Sequence, residues 1–130
     1  MITKQLSVFL ENKEGRLGEV LRVLKDNHIN IQSLSLADTA DYGLLRLIVD
    51  KPEEGKELLF NAGFSAMLAD VVIIKVEHQP GGLQKVLELI SNKGINVEYM
   101  YALSIAGEEA TIVLKPSDVQ KACQAFGNLA

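Results

Sequence analysis

The sequence is short of several things, and each shortage removes a class of function. It has one cysteine, Cys123, among 130 residues, so no disulfide can form within the chain. A reducing, cytoplasmic setting is consistent with that and is the expected location. Its 13 Lys and Arg are scattered and outweighed by 17 Asp and Glu, for a net charge of −4. Phosphate-backbone binding needs a basic patch or stripe, so no nucleic-acid partner is expected, although backbone amides remain able to hold a small anion. No apolar run approaches the roughly 20 residues of a membrane span; Val71 to Val76 is only strand length. The opening MITKQLSVFLENKEG lacks the charged-then-apolar order of a signal peptide. Neither secretion nor membrane insertion is expected.

Chemistry-bearing patterns are missing too. There are no paired carboxylates, no nucleophile beside a base, and no Gly-Lys-Ser/Thr phosphate cradle. The two histidines, His28 and His78, are not at metal-ligand spacing and have no Cys or carboxylate cluster beside them. Neither a metal nor another cofactor is expected. Cys123 sits at helical spacing with Val119 and Phe126 and reads as a small core residue. A reactive thiol would need a nearby base that the sequence does not show.

What the chain does have is a repeat. Glu11 to Ile31, ENKEGRLGEVLRVLKDNHINI, returns as Glu77 to Val97, EHQPGGLQKVLELISNKGINV, at a constant offset of 66 without a gap. Seven pairs are identical: Glu11/Glu77, Gly15/Gly81, Leu17/Leu83, Val20/Val86, Leu21/Leu87, Ile29/Ile95 and Asn30/Asn96. A repeat of this kind sets the architecture before any single element does. With 48% apolar and 23% charged residues the chain has enough apolar side chains for a real core.

Around the repeat, the periodicities alternate between two and 3.6. Gln5 to Leu10 puts Leu6, Val8 and Leu10 on one face and Gln5, Ser7 and Phe9 on the other, a half-buried strand. Leu17, Val20, Leu21 and Leu24 follow at helical spacing, with Glu19, Arg22, Lys25 and Asp26 opposite. Lys93-Gly94 suggests a left-handed helix end, and Asn27-His28 makes the same turn in the first copy. Residues 30–36 and 44–49 read as strands joined by a turn at residues 38–43; the second is nearly continuous in apolar residues and so central or at an interface. Pro52 starts a helix through Asn61, Gly63 stops it, and residues 64–68 form a short fourth strand. Only Ala69-Asp70 separates this unit from the next. The second cycle runs strand 71–77, helix 81–92, strand 95–105, strand 110–115 and helix 117–126. Pro52/Pro116 and Gly63/Gly127 pair at an offset of 64, which implies a shorter hairpin turn in the second copy. The reading is α+β: two ferredoxin-like βαββαβ repeats, residues 1–70 and 71–130, each an antiparallel sheet with helices on one face. The second repeat is incomplete, since Asn128-Leu129-Ala130 are too few for a fourth strand.

On these residues the chain resembles the tandem ACT domain family, free-standing regulatory modules of two ACT repeats that bind amino acids. The family pattern is an Asp or Asn, then Pro-Gly, then Leu, then a helix ending in a Gly-Ile-Asn-Ile type start of the second strand. The first copy matches at Asn12, Gly15, Leu17 and Ile29-Asn30-Ile31, with Glu14 in place of Pro. The second matches at Pro80-Gly81, Leu83 and Gly94-Ile95-Asn96-Val97, with His78 in place of the acid or amide. The resemblance implies a ligand held where the loop-helix junction meets the second strand. Helix N-terminal amides would receive an amino acid's carboxylate, and an Asn would meet the ammonium. The implied ligand residues are Asn12, Gly15, Arg16, Leu17, Asn30 and Ile31 in the first copy. In the second they are His78, Pro80, Gly81, Gly82, Leu83, Asn96 and Val97. Arg16 is the one with obvious carboxylate chemistry, and its counterpart is Gly82, so the two sites are not equivalent.

Each of these residues has a plainer role beside the sharp one. Gly15 and Gly81 either line a ligand site or let the helix pack close to the sheet. Asn30 and Asn96 either meet a ligand or hydrogen-bond the preceding turn. Arg16 is either a ligand group or an ordinary surface side chain. Tyr99 and Tyr101 share one strand face and either line a pocket or stabilise the sheet. The expected function is amino-acid-responsive regulation without catalysis, in a homodimer whose packing the ligand biases. The alternative is a regulatory subunit that docks on an amino-acid metabolic enzyme, with its ligand site vestigial. A third reading, an enzyme, would require Tyr99, Tyr101, His78 and Arg16 to converge.

Overall fold

A computed structural model describes residues 1–38 and 41–130. Part of the turn expected at residues 38–43 therefore lies outside the described residues. The chain runs β1 (Ile2–Glu11), α1 (Arg16–Asp26), β2 (Ile31–Asp38), β3 (Tyr42–Val49), α2 (Pro52–Asn61) and β4 (Ser65–Glu77). It continues α3 (Gly82–Ser91), β5 (Val97–Ala106), β6 (Glu109–Pro116), α4 (Val119–Phe126) and a 3-10 turn at Gly127–Leu129. The α+β class and the two ferredoxin-like βαββαβ repeats are as the periodicity implied.

The helix ends show how local chemistry sets this order. α1 begins after Gly15 at φ 84 and α3 after Gly81 at φ 82, a left-handed conformation that glycine adopts without steric cost. α1 stops at His28, φ 57, whose N–H bonds Lys25 O while Ile29 N–H reaches back to Leu24 O at 2.9 Å. Gly94, φ 73, does the same for α3, with Ile95 N–H bonding Ile90 O at 3.0 Å. These are Schellman ends, and each throws a buried isoleucine back onto its helix. Histidine thus substitutes for glycine in the first copy, as expected. α2 ends likewise at Gly63, with Phe64 N–H on Leu59 O.

The chain forms two compact units, Lys4–Ala69 and Asp70–Ala130, the latter together with Met1–Thr3. In the first, the strand order is β2-β3-β1-β4, with β3 central. Antiparallel registers set Leu6 against Leu47 and Val8 against Leu45. These side chains join Leu10, Val49, Val20 and Leu24 of α1, and Leu59 of α2, in one buried cluster. Gln5 and Ser7, expected to face solvent, are buried at 0% and 7% exposure, while Phe9 stays open. Gln5 Nε2 donates to Ser7 Oγ at 3.0 Å, which meets the requirement that buried polar groups be partnered. Alternation identified the face but not whether it was covered.

In the second unit the order is β1-β4-β6-β5, where β1 contributes only its first residues. Ile73 N–H donates to Met1 O at 2.8 Å, and the Met1 amino group donates back to Ile73 O at 3.2 Å. In the second unit the amino-terminal residues thus pair with β4, while Gly127–Leu129 form the 3-10 turn. The core here is Val72, Ile74, Val76, Val86, Ile90, Ile95, Ala110, Leu114, Ala122 and Phe126, with Cys123 packed against it.

Two expectations need correcting. Ala69-Asp70 is not a break: β4 runs through both residues as one strand, because their extended backbone continues the pairing on either side. Pro116 is not the counterpart of Pro52. Pro52 lies in the first turn of α2, whereas Pro116 closes β6 opposite Val97, as Val49 lies opposite Ile31. The two hairpins share a register shift at Ile31/Ser33 and Val97/Tyr99, and the second adds another between Ala102 and Ser104. That bulge contributes one extra residue, so the copies diverge through a bulge rather than through a shortened turn.

Candidate functional site

The loop-helix junctions are built alike in the two units. Beyond the Cβ positions of Gly15 and Gly81 there is open space, so these glycines serve the left-handed turn rather than close packing. Close packing falls to the next residue in the second copy. A Cβ on Gly82 would come within 2.1 Å of Glu77 O, so α3 starts tight against the strand that precedes it. At the same place α1 starts with Arg16, whose side chain turns outward. Its Nη1 meets Glu19 Oε2 at 3.2 Å and its Nη2 meets Glu11 Oε1 at 3.3 Å.

The second-strand asparagines are also used alike. Asn30 N–H donates to Asp50 Oδ1 at 2.9 Å, and Asp50 N–H donates back to Asn30 O. Asn96 N–H donates to Ser117 Oγ at 3.0 Å, and Ser117 N–H donates back to Asn96 O at 2.8 Å. In both copies the backbone of the asparagine ties the second strand to the start of the second helix, and the residue is exposed. His78 N–H bonds Glu108 O, holding the β4–α3 loop to the β5–β6 turn.

Three of the expected residues come together in the second unit. Leu83, Asn96 and Val97 line an open groove of about 530 Å³ between α3 and the start of β5. Gln84, Leu87, Glu88, Ile90 and Ser91 complete it. Its floor is leucine, isoleucine and valine, and its rim carries the Gln84 Nε2–Glu88 Oε1 hydrogen bond of 3.1 Å. The rim residues follow from α3's helical stripe, and periodicity alone would have found them. Gly82 lies instead in a separate cavity of about 430 Å³, among Val76, Val86, Leu89 and Leu129. In the first unit, Arg16 lines a pocket of about 210 Å³ with Phe9, Glu11, Tyr42, Phe64 and Ser65. Nothing in the sequence pattern joined those residues, because the contact depends on Glu11 pairing with Tyr42 across β1 and β3.

Tyr99 and Tyr101 lie on β5 opposite Lys115 and Val113 of β6, and β6 separates them from β4, which leads to His78. Among the described residues no group of three or more His, Cys, Asp and Glu side chains could hold a metal ion. Nor is any helix among them long and apolar enough to cross a membrane.

Comparison with known proteins agrees with this fold. Protein BT0572 of Bacteroides thetaiotaomicron has a solved structure that superposes with a TM-score of 0.92 at 41% identity, over 97% of this chain and 87% of that one. The ligand-free regulatory subunit of aspartate kinase from Thermus thermophilus shares the fold, with a TM-score of 0.70 at 15% identity over 96% of this chain and 94% of that one. The regulatory subunit of aspartate kinase from Thermus flavus follows at 0.67 and 14%, over 97% of this chain and 93% of that one. A search of curated proteins finds no match. Residues 1–126 match the family described as ACT domain pair, and the chain belongs to that family.

Proposed function

We propose that the protein is a regulatory module that binds an amino acid at the junction of loop, helix and second strand. The observation that carries this is the α3–β5 groove, in which Leu83, Asn96 and Val97 meet at one surface. An apolar floor beside an exposed asparagine suits a small ligand with an apolar side chain and a polar head. The backbone of Asn96 is already bonded to Ser117, so its side-chain amide is the group available to orient that head. The same junction in the first copy, with Asn12, Gly15, Leu17, Asn30 and Ile31, is the second candidate. His78, Pro80 and Gly81 shape the loop in front of α3.

Regulation follows if the ligand binds one assembled state more tightly than another. β2 and β5 are edge strands and expose Leu34, Leu36, Met100 and Ile105. Open apolar edges favour pairing with a second chain, and a homodimer in the cytoplasm is the proposed working form. The role is binding rather than catalysis, with no cofactor.

A second reading is that the chain docks on an amino-acid metabolic enzyme as a regulatory subunit. The fold shared with a regulatory subunit of aspartate kinase favours it. A thermal-shift screen against the twenty amino acids separates the two. A ligand at a hundredfold excess over its dissociation constant adds about 2.7 kcal/mol of stability. A rise with one or a few related amino acids, abolished by Asn96→Ala, supports the sensor. No rise at millimolar concentration would leave the docking module as the reading to pursue.

A further inference from the structure

In the second unit β4 keeps an edge open near its end. Ile73 N–H donates to Met1 O at 2.8 Å and the Met1 amino group donates back to Ile73 O, so Met1 stands directly opposite Ile73 in an antiparallel pair. The backbone groups of Val72, Ile74 and Val76 turn to the other side, where β6 lies. Alternation then points the N–H and C=O of Lys75 and the N–H of Glu77 to the Met1 side. Past Met1, the described residues place no strand there to receive them. Glu77 O is already taken, by Gln79 N–H at 2.9 Å.

The first unit shows what covers the equivalent edge. Phe9 and Glu11 match Lys75 and Glu77 at the offset of 66, and beside them stand Gly63, Phe64 and Ser65, where β4 begins. Phe64 packs against the first core together with Ala66 and Leu68. In the second unit the place beside Lys75, Val76 and Glu77 is a cavity of about 430 Å³, within the roughly 300–1,000 Å³ of binding sites. Its apolar wall is Val76, Val86, Leu89 and Leu129, with Leu89 40% exposed. Its charges are separated. Glu77 lies directly opposite Glu109, with Glu108 beside them, and like charges so placed repel until a cation joins them. Lys75, about 6–7 Å back along the strand, and Lys85 of α3 supply the positive side.

We propose that this edge takes up the C-terminal tail of a partner protein as an added β-strand. The tail carries a basic residue, then a large apolar residue, then its terminal residue. It runs antiparallel to β4, as Met1–Thr3 do, and it has to finish opposite Lys75 because Met1 holds the place opposite Ile73. The terminal N–H donates to Lys75 O, and the terminal carboxylate accepts from Lys75 N–H with Lys75 and Lys85 near it, a charge-assisted bond. The apolar residue falls opposite Val76. Side chains alternate between the two faces of a strand, so it points to the helix side and into the cavity. The basic residue falls opposite Glu77 and relieves the Glu77–Glu109 repulsion. Main-chain bonds supply the affinity, while the cavity and the charge pairs supply the selectivity. This goes beyond the amino-acid reading, because the edge and the α3–β5 groove share no lining residue.

The test is fluorescence anisotropy on the full chain with an amino-terminally dye-labelled peptide, Ser-Thr-Lys-Phe-Ser, ending in a free carboxylate. Saturable binding is expected. N-methylation of the last residue, whose N–H meets Lys75 O, is expected to weaken it by about tenfold or more. N-methylation of the phenylalanine, whose N–H points away from β4, is expected to leave it unchanged. A C-terminal amide, glutamate in place of the peptide lysine, and Leu89→Glu or Glu109→Lys in the protein should each weaken it by about tenfold. Melting temperatures verify that both variants are folded, and both positions are open enough to accept the change. Absence of binding at millimolar peptide overturns the proposal. Equal sensitivity to the two N-methyl groups overturns strand addition, and binding that ignores Leu89→Glu but is lost in Asn96→Ala moves the peptide to the groove and overturns it as well.

Discussion

Arg16 and Gly82 hold the same place, the first residue of α1 and of α3, and they do opposite jobs. Gly82 is there because backbone stands where a side chain would go; Arg16 is there with a long side chain reaching two carboxylates. The left-handed glycines before them, the Schellman ends after them, and the asparagine ties to the second helix are the same in both copies. The comparison separates two kinds of residue. What both units keep is what a ferredoxin-like repeat needs in order to close. What they do not keep is free to make a site. The junction groove follows this rule too: positions Gln84, Glu88 and Ser91 on α3 correspond to Gly18, Arg22 and Lys25 on α1. On the proposed reading, a carboxylate brought to this junction would meet cations in the first copy and a glutamate in the second, and the two copies are expected to favour different ligand poses.

That division can be broken at several points, in order of expected effect. The shared layer should be the most costly to disturb. Leu59 of α2 and Phe126 of α4 are buried at matching places in the two cores. Leu59→Ala is expected to cost about 2–5 kcal/mol and Phe126→Ala about 3–5 kcal/mol in denaturant unfolding. Next is Gly82→Ala. A methyl group forced against Glu77 O is expected to cost about 3 kcal/mol, although alanine is otherwise the better helix former. A neutral outcome in urea melts would mean that α3 can slide away from the strand, and that the tight start is not a constraint.

Smaller effects are expected at the turns. Gly15→Ala and Gly81→Ala meet no neighbour but must hold a left-handed φ, so each should cost about 1–2 kcal/mol and by similar amounts. A large inequality between them would show that the two junctions are less alike than their dihedrals. The smallest effect sharpens a difference. α4 is capped by the Asp118 side chain accepting from Lys121 N–H at 3.0 Å, whereas Lys51 at the start of α2 provides no side-chain cap. Asp118→Ala should lower the stability by about 1 kcal/mol, read as a lower melting temperature. Lys51→Asp should raise the stability by a similar or smaller amount.

Much of this was legible in the residues. A gapless offset from Glu11 to Val97 and helical stripes such as Leu17, Val20, Leu21 and Leu24 are local signals, and the elements they imply are present. The features that escaped are those that depend on partners distant in the chain. Gln5 and Ser7 alternate outward, yet burial depends on what covers a face, not on which way it points. The place of Met1–Thr3 beside Ile73 spans nearly the whole first repeat and leaves no periodic trace. Ala69-Asp70 looked like a junction only because the repeat boundary falls there, and a strand can cross such a boundary without any turn residue. The bulge between Ala102 and Ser104 shifts later positions by one and sets Pro116 in the place of Val49, so the two prolines match by coincidence of residue type and not by position. Of the expected ligand residues, Leu83, Asn96 and Val97 share a groove and Arg16 lines its own pocket. The Phe9–Tyr42–Phe64 group was invisible because it is assembled by strand register.

The central claim is that two copies of one fold carry different sites, with an amino acid held at the α3–β5 groove. A two-dimensional amide NMR titration of the full chain with the amino acid that gives the largest thermal shift tests it most directly. The account predicts saturable shifts at Leu83, Gln84, Leu87, Asn96 and Val97, with the equivalent amides of α1 and β2 following a different ligand dependence. Amides of that groove that stay fixed at a saturating amino-acid concentration, or two copies that respond identically, would contradict it.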